Sequence, residues 1–183
     1  MSNYITSNFS NLIFSCSVPS QWHMEHRVTD HCVVFVRQGK LLISDKGRTE
    51  EIPAGSCVFL KKDCSVRLVK ASFAGKNYEG LNIRLPQNIL EDYFQRHLKN
   101  NEFPQDFTGL SNCFMRLNRT LCLQGLLSSI ILFVEEGQDP GQEMTELKVE
   151  ELILDLLQTN IRFFPRLFDF YRDWNVDLKE FME

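Results

Sequence analysis

Four consecutive segments decide the fold of this chain, and they read Cys32-Val-Val-Phe-Val-Arg-Gln-Gly39, Lys40-Leu-Leu-Ile-Ser-Asp-Lys-Gly47, Arg48-Thr-Glu-Glu-Ile-Pro-Ala-Gly55 and Ser56-Cys-Val-Phe-Leu60. Each joins a β-branched, aliphatic or aromatic run to a turn residue, which is typical of short antiparallel strands. Gly39 and Gly47 tolerate a positive φ, so the chain can reverse tightly at both positions. Pro53 lacks an amide donor and therefore ends the third strand.

The spacing of these turn residues resembles the second sequence motif of the cupins, which are small β-barrels of the jelly-roll class. Five residues separate Gly47 from Pro53, and one residue separates Pro53 from Gly55. In metal-using cupins a histidine follows that glycine after two residues, but this chain has Val58 there. The resemblance implies a barrel formed by residues 1–86.

The cupin metal positions are mostly replaced. Counted back from Gly39, the first cupin motif places its ligands at His26, Val28 and Cys32. One histidine with a nearby thiol is a weak divalent-metal site, because such sites usually have three or four donors. We therefore expect no metal, no cofactor and no enzymatic activity. The alternative is a small metal-dependent cupin enzyme.

Composition limits the possible functions. The chain has 183 residues and a net charge of −4, and its Lys and Arg residues form no cluster that would suit nucleic acid. No apolar run approaches the roughly 20 residues of a membrane span, and the start lacks the pattern of a signal peptide. The six cysteines have no C-x-x-C spacing, so we expect reduced thiols and a cytoplasmic location.

Outside the central segments, the sequence predicts three further strands. They are expected within 11–18, 65–70 and 78–85, whereas the rest of 1–31 reads as irregular. The stretch Gln21-Trp-His-Met-Glu-His26 is interpreted either as a polar lip at the barrel mouth or as a loop whose Trp22 packs on the barrel. Arg84 is expected either to point into the barrel as an anion-binding group or to face solvent.

Strand alternation and the cupin register predict which side chains face the barrel interior. Together with residues at the mouth, they form the candidate ligand-binding set: Trp22, His26, Cys32, Val34, Val36, Val58, Leu60 and Tyr78. Because this interior is mainly apolar, it favours an apolar or aromatic small-molecule effector. A filled barrel that instead binds a protein partner is the alternative.

After Pro86 the composition changes to that of amphipathic helices. Helices are predicted over 86–98, 121–136 and 143–160, the last two forming a hairpin, with a loop over 99–117. Each hairpin helix has a normal core stripe and two further leucines on the opposite side: Leu121 and Leu132, then Leu147 and Leu154. A second apolar side predicts a homodimer interface, unless the Phe-rich tail after Ile161 covers it.

The order of barrel, helical hairpin and linker resembles the N-terminal half of AraC/XylS-family transcription regulators. The segments that carry the resemblance are 30–39, 53–70, 80–94 and 176–182. It implies an α+β effector-sensing and dimerisation domain, with a cupin-like barrel at 1–86, a helical dimerisation subdomain at 87–162, and a linker with the start of a truncated DNA-binding domain at 163–183. It also implies that the family's helix-turn-helix pair, which contacts DNA, is missing here, and that the chain does not read DNA by itself.

Overall fold

A computed structural model describes residues 5–99 and 112–170. Ten strands form the barrel part: β1 Ile5–Phe9, β2 Ile13–Val18, β3 Trp22–Arg27, β4 His31–Gln38, β5 Lys40–Asp45, β6 Arg48–Pro53, β7 Ser56–Leu60, β8 Ser65–Ala71, β9 Tyr78–Leu85 and β10 Phe114–Leu117. The four strands predicted from 32–60 are all present.

The strands form two antiparallel sheets that face each other. The larger sheet has the order β1-β2-β9-β4-β7-β10, and the smaller has the order β3-β8-β5-β6. Both turns predicted at glycines form, and Gly39 has a φ of 73°. A side chain at Gly39 would also collide with the backbone, because a Cβ there would lie 2.6 Å from the carbonyl oxygen of Ala71.

Three strands at sheet edges, β1, β3 and β10, were not predicted from the sequence. Residues 5–9 and 22–27, predicted to be irregular, form β1 and β3; β3 pairs along its length with β8. The loop predicted over 99–117 is wrong at its end, because β10 pairs with β7. Residues 100–111 lie outside the described part of the chain. The division at residue 86 stays a prediction, although β10 comes from beyond it.

The helices follow the prediction closely. Helix α1 covers Gln87–Tyr93 and continues into a π-helical turn at Phe94–Leu98, while α2 covers Leu121–Glu136 and α3 covers Gly141–Thr159. The Thr120 hydroxyl caps α2 by accepting a hydrogen bond of 3.0 Å from the Leu123 amide. A 3₁₀ turn at Ile161–Phe163 and the short α4, Phe164–Leu167, follow.

Two apolar cores result from the alternation of side chains along the strands. One lies inside the barrel between the sheets. The other lies between the outer face of the larger sheet and the helices, and it includes Val33, Phe59 and Ile83 with the buried stripes of α2 and α3. The aromatic residues of the tail also belong to this second core: Phe163, Phe164, Phe168 and Phe170.

Candidate effector cavity

A cavity of about 350 Å³ lies inside the barrel, between the two sheets. Its walls are mainly apolar: Phe14, Met24, Cys32, Val34, Leu41, Leu60 and Leu68. Its polar lining comes from His26, Thr29, Asp30, Lys70, Asn82 and Arg84. The volume is within the range of small-molecule sites, and the combination of apolar walls with a few polar groups is typical of them.

The structure divides the eight predicted ligand-binding residues into two groups. His26, Cys32, Val34 and Leu60 line the cavity. Val36, Val58 and Tyr78 are buried in the interior core beyond its lining, and Trp22 packs partly against that core. The predicted inward direction of Cys32, Val34, Val36, Val58 and Leu60 is thus observed, whereas a ligand-binding role for any of the eight stays a prediction.

The thiol in the cavity wall is a poor nucleophile. Burial raises the pKa of Cys32 to about 12, with a smaller contribution in the same direction from the Asp30 carboxylate. A protonated thiol at neutral pH behaves as a small apolar group. Cys32 therefore contributes to the wall of the cavity rather than to covalent chemistry.

Arg84 lies at the mouth of the cavity. Its guanidinium pairs with the Asp30 carboxylate and also donates a 3.2 Å hydrogen bond to the backbone oxygen of Asn11. The guanidinium lies 6.0 Å from the ring of Phe14. Arg84 combines the two directions considered for it, because it lines the cavity while its side chain is 39% exposed, and its charge is already balanced by Asp30.

Lys70 lies deeper in the barrel and is only 8% exposed. Its ammonium group donates a 3.2 Å hydrogen bond to the sulfur of Cys16 and lies over the rings of Trp22 and Tyr78. A strand is predicted over 65–70, but the inward direction of Lys70 was not predicted. The alternation of side chains along the strand indicates this direction, because Lys70 lies on the same face as the buried residues Val66 and Leu68.

His26 is the third basic group of the cavity. Its pKa is lowered, first by burial and second by the positive charge of Lys70. His26 is therefore mainly neutral at physiological pH, when it offers one hydrogen-bond donor and one acceptor. The cavity thus has a neutral imidazole, a balanced ion pair at the mouth and one further cation.

The four positions that hold the metal in cupin enzymes all belong to the barrel interior. Val28, Cys32 and Val58 are buried in the inner core, and His26 lines the cavity beside them. Within the described residues, no group of three or more His, Cys, Asp or Glu side chains could hold a metal ion. These side chains supply one good nitrogen ligand, which does not fit a cupin metal centre.

The C-terminal tail contacts the larger sheet next to two of the cavity residues. His31, between the cavity residues Asp30 and Cys32, is buried, stacks on Phe59 and accepts a 3.1 Å hydrogen bond from the Lys62 amide. The Lys62 ammonium pairs with Asp169 of the tail at 2.8 Å. Burial is the main reason that the pKa of His31 falls to about 4.

The four leucines predicted to form a dimer interface are exposed. Their exposed fractions are 85% for Leu121, 57% for Leu132, 58% for Leu147 and 46% for Leu154. The Phe-rich tail packs into the core between sheet and helices instead of covering them. The alternative in which the tail covers these four residues is therefore not observed within the described part of the chain, and what does cover them stays a prediction.

No helix among the described residues is long and apolar enough to cross a membrane.

A search of curated proteins by sequence finds no significant match. Solved structures of similar fold include an apo ToxT variant from Vibrio cholerae, with a TM-score of 0.60 and 13% identity over 83% of this chain. Another is wild-type ToxT from the same organism with a bound unsaturated fatty acid, with a TM-score of 0.57 and 12% identity over 80% of this chain.

A third ToxT structure, bound to (E)-4-(8-methylnaphthalen-1-yl)but-3-enoic acid, gives a TM-score of 0.54 and 14% identity over 80% of this chain. The matches cover 58%, 52% and 55% of the respective ToxT chains, so this chain spans little more than half of their length. At these identities the likeness concerns the fold, and it confirms the α+β arrangement of a cupin-like barrel followed by helices.

The family of this chain is shown by a match to a sequence-family model. The model for the ExsA N-terminal regulatory domain matches residues 31–163, which include the strands from β4 onward and the helical hairpin. This range covers most of the chain and includes nearly all of three segments that resemble the AraC/XylS regulators, 30–39, 53–70 and 80–94, whereas the segment 176–182 lies outside it. The protein therefore belongs to the ExsA N-terminal regulatory domain family, the regulatory half of AraC-type transcription regulators.

Proposed function

We propose that this domain senses a mainly apolar small molecule that binds in the barrel cavity. The observation that carries the proposal is the cavity itself, about 350 Å³ in volume with mainly apolar walls inside a regulatory domain. ToxT structures with a bound fatty acid and with a naphthalenyl butenoic acid support it, since both ligands have large apolar parts. In this proposal the domain is a cytoplasmic sensor without enzymatic activity.

The contacts around the cavity support a route by which ligand binding changes the arrangement of the tail and the hairpin. Next to the cavity residues Asp30 and Cys32, the contacts of His31 with Lys62, and of Lys62 with Asp169, connect the barrel to the tail. On the other side Arg37 of β4 pairs with Glu135 of α2. A ligand that favours one arrangement of the barrel wall would thereby favour one arrangement of tail and hairpin, provided its affinities for the arrangements differ.

A neutral fluorescent probe tests the cavity. N-phenyl-1-naphthylamine is apolar and gains fluorescence in apolar sites, so we expect saturable binding with one site per chain. His26→Trp should abolish this binding because His26 lines the cavity, whereas His23→Trp should leave it intact because His23, on the same strand, is exposed. Absence of probe binding to the unmodified protein would contradict the effector proposal and favour a filled barrel controlled by a protein partner.

We further propose that a second copy of the chain covers the exposed leucines of the hairpin. On α2, the exposed residues between Leu121 and Leu132 carry no charge, and two of them, Gly125 and Ser128, are small enough to let another helix approach closely. The first acidic residue of that helix is Glu135. An uncharged helix face of three turns suits a symmetric helix pair better than it suits water.

Light scattering coupled to size exclusion tests the homodimer. The unmodified chain should elute as a dimer, and either Leu121→Glu with Leu132→Glu or Leu147→Glu with Leu154→Glu should convert it to a monomer. Phe73→Glu is the control, since Phe73 is 58% exposed but lies outside the helices. A monomeric unmodified chain, or a dimer that survives both double substitutions, would refute the proposed interface.

In this proposal DNA recognition belongs to the family's helix-turn-helix unit and not to the barrel or the hairpin. The net charge of −4 supports this assignment, because sequence-independent DNA affinity depends on clustered Lys and Arg. Residues 171–183 of the segment predicted to enter the DNA-binding domain lie outside the described residues. The chain alone should therefore fail to shift duplex DNA at physiological salt.

A further inference from the structure

Lys70 is an unusual residue for the interior of a barrel. Its side chain crosses from β8 in the smaller sheet to Cys16 on β2 in the larger sheet, where the nitrogen–sulfur distance is 3.2 Å. The ammonium group lies 5.2 Å from the ring centre of Trp22 and 5.4 Å from that of Tyr78. Lysine is almost never buried to this degree unless an acidic partner balances it.

The charge of Lys70 is not balanced by a carboxylate. Across residues 5–99 and 112–170, no Asp or Glu lies within ion-pair distance of its ammonium group, and its contacts are a thiol and two aromatic faces. Cation–π contacts recover only part of the free energy that is lost when an ammonium ion is removed from water.

The other charges of the cavity do not compensate for Lys70. Asp30 is the acidic residue in the cavity lining, and it pairs with Arg84 at the mouth. His26 adds no negative charge. The described lining therefore has one cation in excess, and that cation lies at the inner end.

We infer that Lys70 is an anion-binding residue and that the effector of this domain carries one anionic group that binds to it inside the barrel. This inference rests on the proposed effector function. The excess charge attracts an anion, and a desolvated ammonium forms strong charge-assisted hydrogen bonds. The amide of Asn82, which lines the same cavity, offers a further donor.

The position of Lys70 also gives the orientation of the ligand. Its nitrogen contacts Cys16, which is paired with Gly80, whereas Arg84 at the mouth lies four residues further along β9. Four residues of strand span about 13 Å. The anionic head therefore binds at the inner end, and the apolar body extends toward the mouth along Val34, Leu60 and Leu68.

The test compares two ligands of equal length that differ in charge. Decanoate and 1-decanol are titrated into the unmodified protein, and displacement of N-phenyl-1-naphthylamine reports their affinities. We expect decanoate to bind at least about tenfold more tightly than decanol, because only the carboxylate can pair with the buried ammonium. Equal affinities would overturn the inference about Lys70 but leave the effector cavity intact, whereas failure of both ligands and of the probe would overturn the effector proposal itself.

A substitution at Lys70 separates ligand binding from structural support. Lys70→Met keeps the length and the apolar stem but removes the charge, so the preference for decanoate should disappear while decanol still binds. Lys40→Met is the control, since Lys40 lies on the same sheet but pairs with Glu51 outside the cavity. Lys70→Gln serves as a second variant if Lys70→Met does not fold.

The ligand-free variant gives an independent readout. A buried lysine whose role is ligand binding destabilises the ligand-free domain, so Lys70→Met should raise the melting temperature of the ligand-free protein. Decanoate should stabilise the unmodified protein and should lose this effect in the variant. A lowered melting temperature, together with an unchanged preference for decanoate, would show that Lys70 only supports the fold.

Discussion

Acidification should destabilise this domain through one buried histidine, His31. Its side chain is 1% exposed, and burial lowers its pKa from 6.5 to about 4. The charges around it are Asp169, which raises the pKa, and Lys62 and Lys61, which lower it; the nearby backbone of Arg166 also raises it. Protonation therefore favours the unfolded chain.

The sign and size follow from proton linkage. Between pH 6.5 and pH 4 the unfolded chain holds a proton on this histidine and the folded chain does not, so stability falls as the pH falls. A pKa difference of about 2.5 corresponds to about 3 kcal/mol. That amount is a large fraction of the stability of a typical domain.

The assay is urea unfolding at a series of pH values for the unmodified protein, His31→Asn and His23→Asn. Many carboxylates titrate in the same range, so the informative quantity is the difference in unfolding free energy between the unmodified protein and each variant. For His31→Asn this difference should shrink by about 3 kcal/mol from pH 7 to pH 4. For the exposed His23 it should stay constant. A constant difference for His31→Asn would refute the reasoning.

Two matched pairs of substitutions test the packing and the backbone. Leu152→Ala should lower the urea unfolding free energy by about 2–5 kcal/mol because Leu152 is fully buried, whereas Leu154→Ala at an exposed position of the same helix should change it by less than about 0.5 kcal/mol. Gly39→Ala should lower the melting temperature more than Gly47→Ala does, since both residues have a positive φ but only a Cβ at Gly39 would collide with backbone, at Ala71. Equal losses within either pair would contradict the packing described here.

The central strands and the helices could be predicted because their ends carry strong local signals. Turn glycines separate β4, β5 and β6, and Gly137 follows the last residue of α2, Glu136. Such signals act within a few residues, so no knowledge of the tertiary structure is needed to find them. The strands predicted from 32–60 consequently agree with the structure to within about one residue at most of their ends.

The strands that were missed lack such signals for physical reasons. Strand β3 lies at the edge of the smaller sheet, and its outward side chains, His23 and Glu25, contact water. Its inward side chains include His26, so the alternation of apolar and polar residues is obscured. Strand β10 has only four residues and pairs with β7 across 54 positions of sequence from Leu60 to Phe114, a contact that only the tertiary fold creates.

The cavity was harder to predict than the fold because its polar residues violate the pattern from which strands are recognised. Val66 and Leu68 indicate an inward face of β8, and on that parity Lys70 also points inward, yet a lysine at the end of a strand ordinarily indicates solvent. Asn82 and Arg84 of β9 line the same cavity, while the alternating residues Leu81, Ile83 and Leu85 face the helices. Interior polar residues reduce the stability of an empty barrel, so their presence on the inward parity is a stronger indication of a ligand than the apolar lining around them.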